Sequence, residues 1–267
     1  MAWPLMREHG YLGASLEDGR VASYLNETPL DEALQGACVY DLTGSLYRFV
    51  SGEDAQGFME TLCAGTRLPA GSSAFSAVLT GDGALVSVPF IVRGGASEYM
   101  VIDPGRRRAM LDAWMGFARS IEQDGVMPFE QASIEDASSL LVPLLVCGTR
   151  ARELLGDYTA DAVLPGPGCV ASVAFDGVPC VLAALDERLG DAFIVFAPPA
   201  FSVRLFRSFL SFTYAHPQGM ASLERFMGRL PWQGQLAGDD RVIVGRDALS
   251  AWGIVRPDAG FIGSRGL

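Results

Sequence analysis

Lysine does not occur in this chain of 267 residues; all 20 basic residues are arginine. That absence excludes a Schiff-base lysine, a phosphate-loop lysine and any catalytic lysine. An anion bound here has to be held by arginine or by backbone N–H groups. Histidine is scarce too, with only His9 and His216, neither near a cysteine in sequence. The five cysteines, at 38, 63, 147, 169 and 180, are odd in number and dispersed, and no Cys-x-x-Cys pair occurs. Metal binding is therefore not expected. Four of the cysteines stand among apolar residues, as small core residues do. A Cys-His nucleophile pair stays open as the alternative.

Long apolar runs are missing as well. No stretch approaches the roughly 18 uncharged residues that a membrane helix needs. The opening MAWPLMREHG has no basic segment leading into a long apolar one, so no signal peptide is expected and the expected location is cytoplasmic. A net charge of −11 disfavours nucleic acid and anionic membrane as partners, since both need a basic surface. What is present is apolar residues, 49% of the chain, enough to bury a sizeable core.

Residues 39–50 read as one buried strand. Val39, Leu42, Leu46, Phe49 and Val50 alternate imperfectly with polar residues. The imperfection falls at Thr43-Gly44-Ser45, where a strand bulges or meets a ligand. Ser51-Gly52 turns the chain, and Glu53 and Asp54 open a helix, where acidic residues suit the positive end of the dipole. Phe58, Met59 and Leu62 form its apolar face. Before this stretch, helices are expected at 17–26 and 29–35. After it come strands at 76–80 and 84–92 around Gly81-Asp82-Gly83, and a strand at 99–102. A helix at 106–123 is expected to bury Met110, Ala113, Trp114, Phe117 and Ile121.

Residues 126–215 repeat this order. Strands are expected at 139–147, 169–175, 178–184 and 192–196, with Asp176-Gly177 as a hairpin turn, and helices at 151–155 and 198–214. The expected fold is α+β with two ferredoxin-like (β-α-β) units. The expected boundaries are 1–125 for an N-terminal segment and first unit, 126–215 for the second, and 216–267 for a helix and loop tail.

The order of Asp41, Gly52, Asp54, Ala55 and Phe58 resembles the opening of the glycine cleavage T-protein family, the aminomethyltransferases and relatives that bind tetrahydrofolate. That family reads hydrophobic-Asp-hydrophobic-Ser-His-Met, then Gly-x-Asp-Ala-x-x-Phe-Leu. Here Thr43-Gly44-Ser45 replaces Ser-His-Met. In 144–156, Gly148, Ala151, Arg152, Leu154 and Leu155 fit the family's strand-Gly-Pro-helix pattern, with Cys147 and Thr149 at its Gln and Pro. Residues 222–235 resemble its late helix, and its Phe-Ile-Gly-Arg-x-Ala-Leu segment has two matches, residues 242–249 and the closing FIGSRGL at 261–267. The chain is expected to lack the family's C-terminal barrel.

The resemblance implies a T-protein-like folate-binding domain, tetrahydrofolate as cofactor, and aminomethyl or methyl transfer. It places folate-contacting positions at Asp41, Thr43, Val101, Asp103, Arg107 and Trp232. The family's acidic positions are substituted. The hairpin carboxylates give way to Ala84-Leu85-Val86-Ser87, and the catalytic aspartate falls on Met110. Asp112 lies roughly 200° further round a helix and cannot replace it. Leu185 to Asp191 keeps acidity without the family pattern, and on the late helix Glu224 and Phe226 stand at its Arg-x-Glu.

Several residues keep two readings. Asp103 before Pro104-Gly105 is a pterin contact or an ordinary turn aspartate. Arg106-Arg107-Arg108 meets an anionic tail or forms a solvated basic face. Trp232 stacks on a ligand or packs in a core. Glu187 and Asp191 read as solvated. The chain is thus a folate-linked transferase or a non-catalytic folate-binding or subunit module, with a protein partner or a homodimer through the apolar C-terminal tail. A weaker third reading has Arg107 and Trp232 bind another flat anionic ligand.

Overall fold

The computed structural model describes residues 3–122, 124–159 and 162–267. In chain order its elements begin with α1 (Met6–Tyr11), β1 (Ala14–Glu17), β2 (Arg20–Tyr24), α2 (Leu30–Ala33), β3 (Ala37–Asp41), β4 (Leu46–Ser51) and α3 (Ala55–Leu62). Next come β5 (Ser72–Phe75), β6 (Val78–Leu79), β7 (Ala84–Ser87), β8 (Phe90–Gly95), β9 (Glu98–Asp103) and α4 (Arg108–Arg119). The second half holds β10 (Ser133–Asp136), β11 (Val142–Cys147), α5 (Ala151–Gly156), β12 (Val170–Phe175), β13 (Val178–Ala184), β14 (Ala192–Ala197) and α6 (Pro199–Phe209). The chain closes with β15 (Ala215–Pro217), α7 (Met220–Met227), β16 (Val242–Ile243) and α8 (Arg246–Ala251). The fold is α+β, and no described helix is long and apolar enough to cross a membrane.

Two compact units share the chain. One takes residues 1–44 and 138–230, the other 45–137 and 231–267. The units interleave in sequence, a different division from the consecutive boundaries that the repeated strand and helix order suggests. The first holds a six-stranded sheet in the order β12-β13-β14-β11-β3-β15, antiparallel except where β15 runs parallel to β3. Val39, Leu144, Val146 and Val195 of that sheet pack on Leu154 and Leu155 of α5 and on Leu205, Phe206 and Phe209 of α6. The second holds a five-stranded antiparallel sheet, β10-β4-β9-β8-β5, and a three-stranded one, β16-β7-β6. Val50, Ile91, Tyr99 and Val101 pack with Phe58, Met59 and Leu62 of α3 and Leu111, Met115 and Ala118 of α4.

Local chemistry explains where the structure departs from the sequence reading. The single strand expected over 39–50 is two strands, β3 and β4, in different sheets. The Asp41 carboxylate accepts the Thr43 N–H at 2.9 Å, and Gly44 takes φ +86°. A Cβ at Gly44 would lie 2.8 Å from the Gly19 carbonyl oxygen, so the turn needs glycine. The helix expected over 17–26 is a hairpin. Asp18 and Gly19 have φ of 49° and 72°, the two-residue turn that Asp-Gly favours. The same dipeptide at Asp176-Gly177 turns β12 into β13 as expected.

The strand expected over 84–92 divides at Val88-Pro89 into β7 and β8, because proline offers no N–H to a ladder. Helix α6 ends at Phe209 rather than at 214. Helix α4 is rotated. Leu111, Met115 and Ala118 are its buried residues, whereas Met110 and Phe117 are 44% and 55% exposed. Both helix faces carry apolar residues, so spacing alone does not choose between them. Asp112 helps to set the rotation, accepting two hydrogen bonds from Arg48 on β4 at 2.7 Å each. Residue 123, the expected helix end, lies outside the described residues. The apolar C-terminal tail is consumed internally, with Ile254, Val255 and Phe261 buried.

Two predictions follow from this packing. A Cβ at Gly52, which has φ +106°, would lie 2.0 Å from the Gln131 carbonyl oxygen, whereas one at Gly57 meets nothing closer than 3.8 Å. Gly52→Ala should lose about 2 kcal/mol or more of stability, and Gly57→Ala in α3 should gain about 0.5–1 kcal/mol. Urea unfolding of both variants checks this, and equal effects would contradict the geometry. The second concerns Glu8, which accepts two hydrogen bonds from Arg207 at 2.6 and 2.7 Å. Those bonds hold its carboxyl below the usual carboxylate range. A depressed folded-state value gives stability that is present at neutral pH and lost as pH falls through it. The N-terminal segment should therefore loosen under acid, seen as faster amide exchange in 6–11, and Glu8→Gln should remove that pH dependence.

Candidate functional site

The second unit brings the β6–β7 hairpin, the start of α4 and the loop at 238–242 around one groove. Strand β9 ends at Asp103, and Pro104-Gly105 turns the chain toward the helix. The Asp103 carboxylate accepts the Gly105 N–H at 2.7 Å, an Asx turn, and the Ser87 hydroxyl at 2.5 Å. It is 4% exposed. Arg107, also buried, spreads its guanidinium over backbone carbonyls. Nε donates to Gly238 at 2.9 Å, Nη1 to Leu85 at 3.0 Å, and Nη2 to Asp240.

The groove encloses about 590 Å³ including its mouth, with Thr80, Asp82, Leu85, Val86, Met110, Asp239, Asp240, Arg241 and Val242 among its lining. Thr80 donates to Asp82 at 2.5 Å, and Arg241 pairs with the other carboxylate oxygen. The Thr80 hydroxyl, and then the Arg241 guanidinium, hold Asp82 below the usual carboxylate range. Asp239 and Asp240 are exposed. The hairpin and helix start are two of the places where the family resemblance puts carboxylates. Here those places carry Ala84-Leu85-Val86-Ser87 and Met110, and acidity enters the groove from Asp82 at the hairpin turn and from Asp239 and Asp240 on the loop. The sequence reading missed Asp239 and Asp240; their only signal was a paired Asp-Asp between a glycine and an arginine.

The other predicted positions have structural employment. Val101 is a core residue of β9, paired on both sides with Arg48 and Ile91. Trp232 is 1% exposed, with its ring centroid 5.4 Å from that of Phe75. Of its two readings, the structure takes core packing. With Arg107 engaged by carbonyls, the reading that pairs it with Trp232 on a flat anion has no support.

Asp41 and Thr43 belong to the first unit. The Asp41 carboxylate accepts Trp3 Nε1 at 2.7 Å, His9 Nε2 at 2.8 Å and Thr43 N at 2.9 Å. His9 Nδ1 lies 2.9 Å from the Tyr24 hydroxyl. Burial pushes the Tyr24 phenol up from its ordinary value, so it stays protonated. The His9 ring thus bridges the Asp41 carboxylate at Nε2 and the Tyr24 hydroxyl at Nδ1. Asp41 therefore ties the N-terminal segment to β3. His216 bonds Thr28 at 3.0 Å, so both histidines have non-cysteine partners.

Cys63, Cys147 and Cys180 are poor nucleophiles. Burial pushes Cys63 up to about 12 and Cys180 up to about 11, and raises Cys147. No metal-holding group of three or more His, Cys, Asp or Glu exists among the described residues.

Removing either charged anchor leaves buried polar groups without partners. Asp103→Ala strands the Ser87 hydroxyl and the Gly105 N–H, and should cost about 1–3 kcal/mol per group. Arg107→Met should raise amide exchange across 238–242, while Asp239→Asn should leave it unchanged. Wild-type stability and exchange in the Asp103 and Arg107 variants would show that these contacts carry no weight.

Neither a family model nor a curated protein sequence matches the chain. Solved structures do. Glycine cleavage system aminomethyltransferase T from Bartonella henselae superposes with a TM-score of 0.72 at 18% identity, covering 99% of this chain and 73% of that one. Heterotetrameric sarcosine oxidase from Corynebacterium sp. U-96, in complex with pyrrole 2-carboxylate, gives a TM-score of 0.47 at 12% identity over 80% of this chain and 96% of that one. Across nearly its whole length, the chain has the aminomethyltransferase T fold.

Proposed function

We propose that this chain is a folate-binding or subunit-type module built on the aminomethyltransferase T fold, and that it does not itself carry out aminomethyl transfer. One observation supports this reading: the charged groups at 41, 103 and 107 are spent on the protein's own structure. A folate-dependent transfer needs an acidic group beside the reacting nitrogen and walls that keep water from the one-carbon adduct. Met110 stands where the resemblance expects that acid, and a thioether neither gives nor takes a proton. The carboxylates of the groove, Asp82 on the hairpin turn and Asp239 and Asp240 on the loop, are all exposed. A groove open to water suits reversible binding better than protection of a hydrolysable intermediate.

Binding chemistry is still available. Asp239 and Asp240 can accept hydrogen bonds from a pterin edge. Leu85, Val86 and Val242 offer an apolar wall, and Arg241 a cation for an anionic tail. Arg107 acts here as a positioning residue, holding the backbone on which Asp239 and Asp240 sit. A transferase is the second reading, favoured by the fold match over 99% of the chain.

Calorimetry with tetrahydrofolate and 5-formyl-tetrahydrofolate on the purified chain is the test. Micromolar binding is expected, weakened at least tenfold by the Asp239→Asn and Asp240→Asn pair. A single-turnover assay with an aminomethylated lipoyl protein should form no methylene-tetrahydrofolate. Product formation would establish the second reading, and no binding at millimolar ligand would overturn the folate assignment.

A further inference from the structure

A second pocket lies in the same unit, between the end of α3, the loop that follows it and strands β5, β8 and β9. It encloses about 360 Å³ including its mouth, and none of the residues lining it lines the groove. It runs from the half-buried Leu68 and Ala74 at the mouth inward to the buried Met59, Ile91 and Tyr99. Tyr99 is 3% exposed, yet its hydroxyl has no hydrogen-bond partner among the described residues. Burial raises that phenol above its ordinary value, and the nearby Glu60 carboxylate and Cys63 thiol raise it further. Glu60 and Cys63 both line the pocket, so the hydroxyl lies on the pocket side of its ring.

The polar groups around Tyr99 are engaged. The Ser76 hydroxyl accepts the Gly65 N–H at 2.8 Å. Glu60 accepts from Gln56 at 2.8 Å and from Arg67 at 3.2 Å. Arg256 donates to the carbonyls of Glu60, Cys63 and Gly65. The Tyr99 oxygen is the exception, and a buried hydroxyl left unpaired is destabilising. A phenylalanine would fill the same space without that cost, so packing does not account for the oxygen. The walls are held in place. Arg93 stands 5.1 Å from the centre of the Tyr99 ring and donates to the Leu68 carbonyl at 2.6 Å. The Ala64 N–H donates to the Ala77 carbonyl, and the Arg256 N–H to the Ala64 carbonyl, each at 2.8 Å. A pre-formed apolar pocket with one placed polar group is the usual form of a small-molecule site. The cations at the mouth are already neutralised, Arg67 by Glu60 and Asp258, and Arg256 by Asp258. A charged ligand would therefore lose its hydration among apolar walls without gaining a free counter-charge.

We propose that this pocket is a second binding site, for a small uncharged molecule with an apolar body and one carbonyl oxygen that accepts from the Tyr99 hydroxyl. The apolar body rests on Met59, Leu68, Ala74 and Ile91. The site is separate from the groove and does not rest on the folate reading.

Calorimetry and thermal melting of the full chain test this with acetophenone, with ethylbenzene, which lacks the acceptor, and with benzoate, which is charged. Acetophenone should bind with a Kd of about 0.01–1 mM and raise the melting temperature. Ethylbenzene should bind roughly fivefold more weakly or worse, since it leaves the hydroxyl unpaired, and benzoate should not bind. Tyr99→Phe removes only the unpaired oxygen. That variant should melt at or above the wild-type temperature and bind acetophenone no better than ethylbenzene. Ala74→Leu, at a half-buried wall position, should block both neutral probes. Absence of acetophenone binding, equal binding by Tyr99→Phe and wild type, a preference for benzoate, or undiminished binding by Ala74→Leu would overturn the proposal. So would a Tyr99→Phe variant that melts below the wild type, since the hydroxyl would then already be satisfied. Failure here leaves the folate reading untouched, because the groove assay reports Asp239 and Asp240 instead.

Discussion

A charged group taken out of water has to find its partners within the chain, and four side chains here show how fully this is met. Asp41 accepts from Trp3, His9 and Thr43, Asp103 accepts from Ser87 and Gly105, Arg107 binds backbone carbonyls of Leu85, Gly238 and Asp240, and Arg256 binds those of Glu60, Cys63, Gly65 and Gly260. Each ties together segments distant in sequence. Asp41 fastens the N-terminal segment to β3, Arg107 fastens the 238–240 loop to β7, and Arg256 fastens the C-terminal tail to the end of α3. An unpaired buried charge would cost several kcal/mol. These are therefore positions where the fold has little freedom to change.

The same constraint limits the chemistry. A carboxylate saturated by protein donors is a poor base and a poor contact for a substrate. In a chain without lysine, the guanidinium groups do double duty as cross-links and as the only anion-binding cations. Arg107 and Arg256 serve the first purpose, whereas Arg241 at the groove mouth is exposed and already pairs with Asp82, a contact that an anionic ligand would compete for. Cys63, Cys147 and Cys180 offer no alternative nucleophile, because burial keeps them protonated. Recognition chemistry is thus concentrated on the exposed loop that Arg107 positions, which is why the site reads as a binding groove.

The legible part of the sequence was its local grammar. Asp176-Gly177 announced a hairpin, and Gly81-Asp82-Gly83 a turn, because only a few residue types tolerate those backbone conformations. The order of strands and helices implied α+β, and the spacing of Asp41, Gly52, Asp54, Ala55 and Phe58 led to a fold that superposition supports at only 18% identity. The candidate site was legible in location but not in content. The hairpin and the helix start do line one groove, yet Asp239 and Asp240 come from about 130 residues further along the chain. No local pattern connects them to Arg107.

Composition and local pattern by themselves determined the absence of lysine chemistry, most strand and helix positions, and the turns that need glycine or Asp-Gly. These depend on covalent geometry and on neighbours within a few residues. Tertiary structure decided the rest. It divided residues 39–50 between two sheets, turned α4 so that Leu111 rather than Met110 faces the core, and placed Trp232 inside rather than at a ligand. Each of those outcomes depends on contacts with residues distant in sequence: a helix with two apolar faces buries whichever one packs on its long-range neighbours, here Leu111, Met115 and Ala118, with Arg48 holding Asp112 beside them.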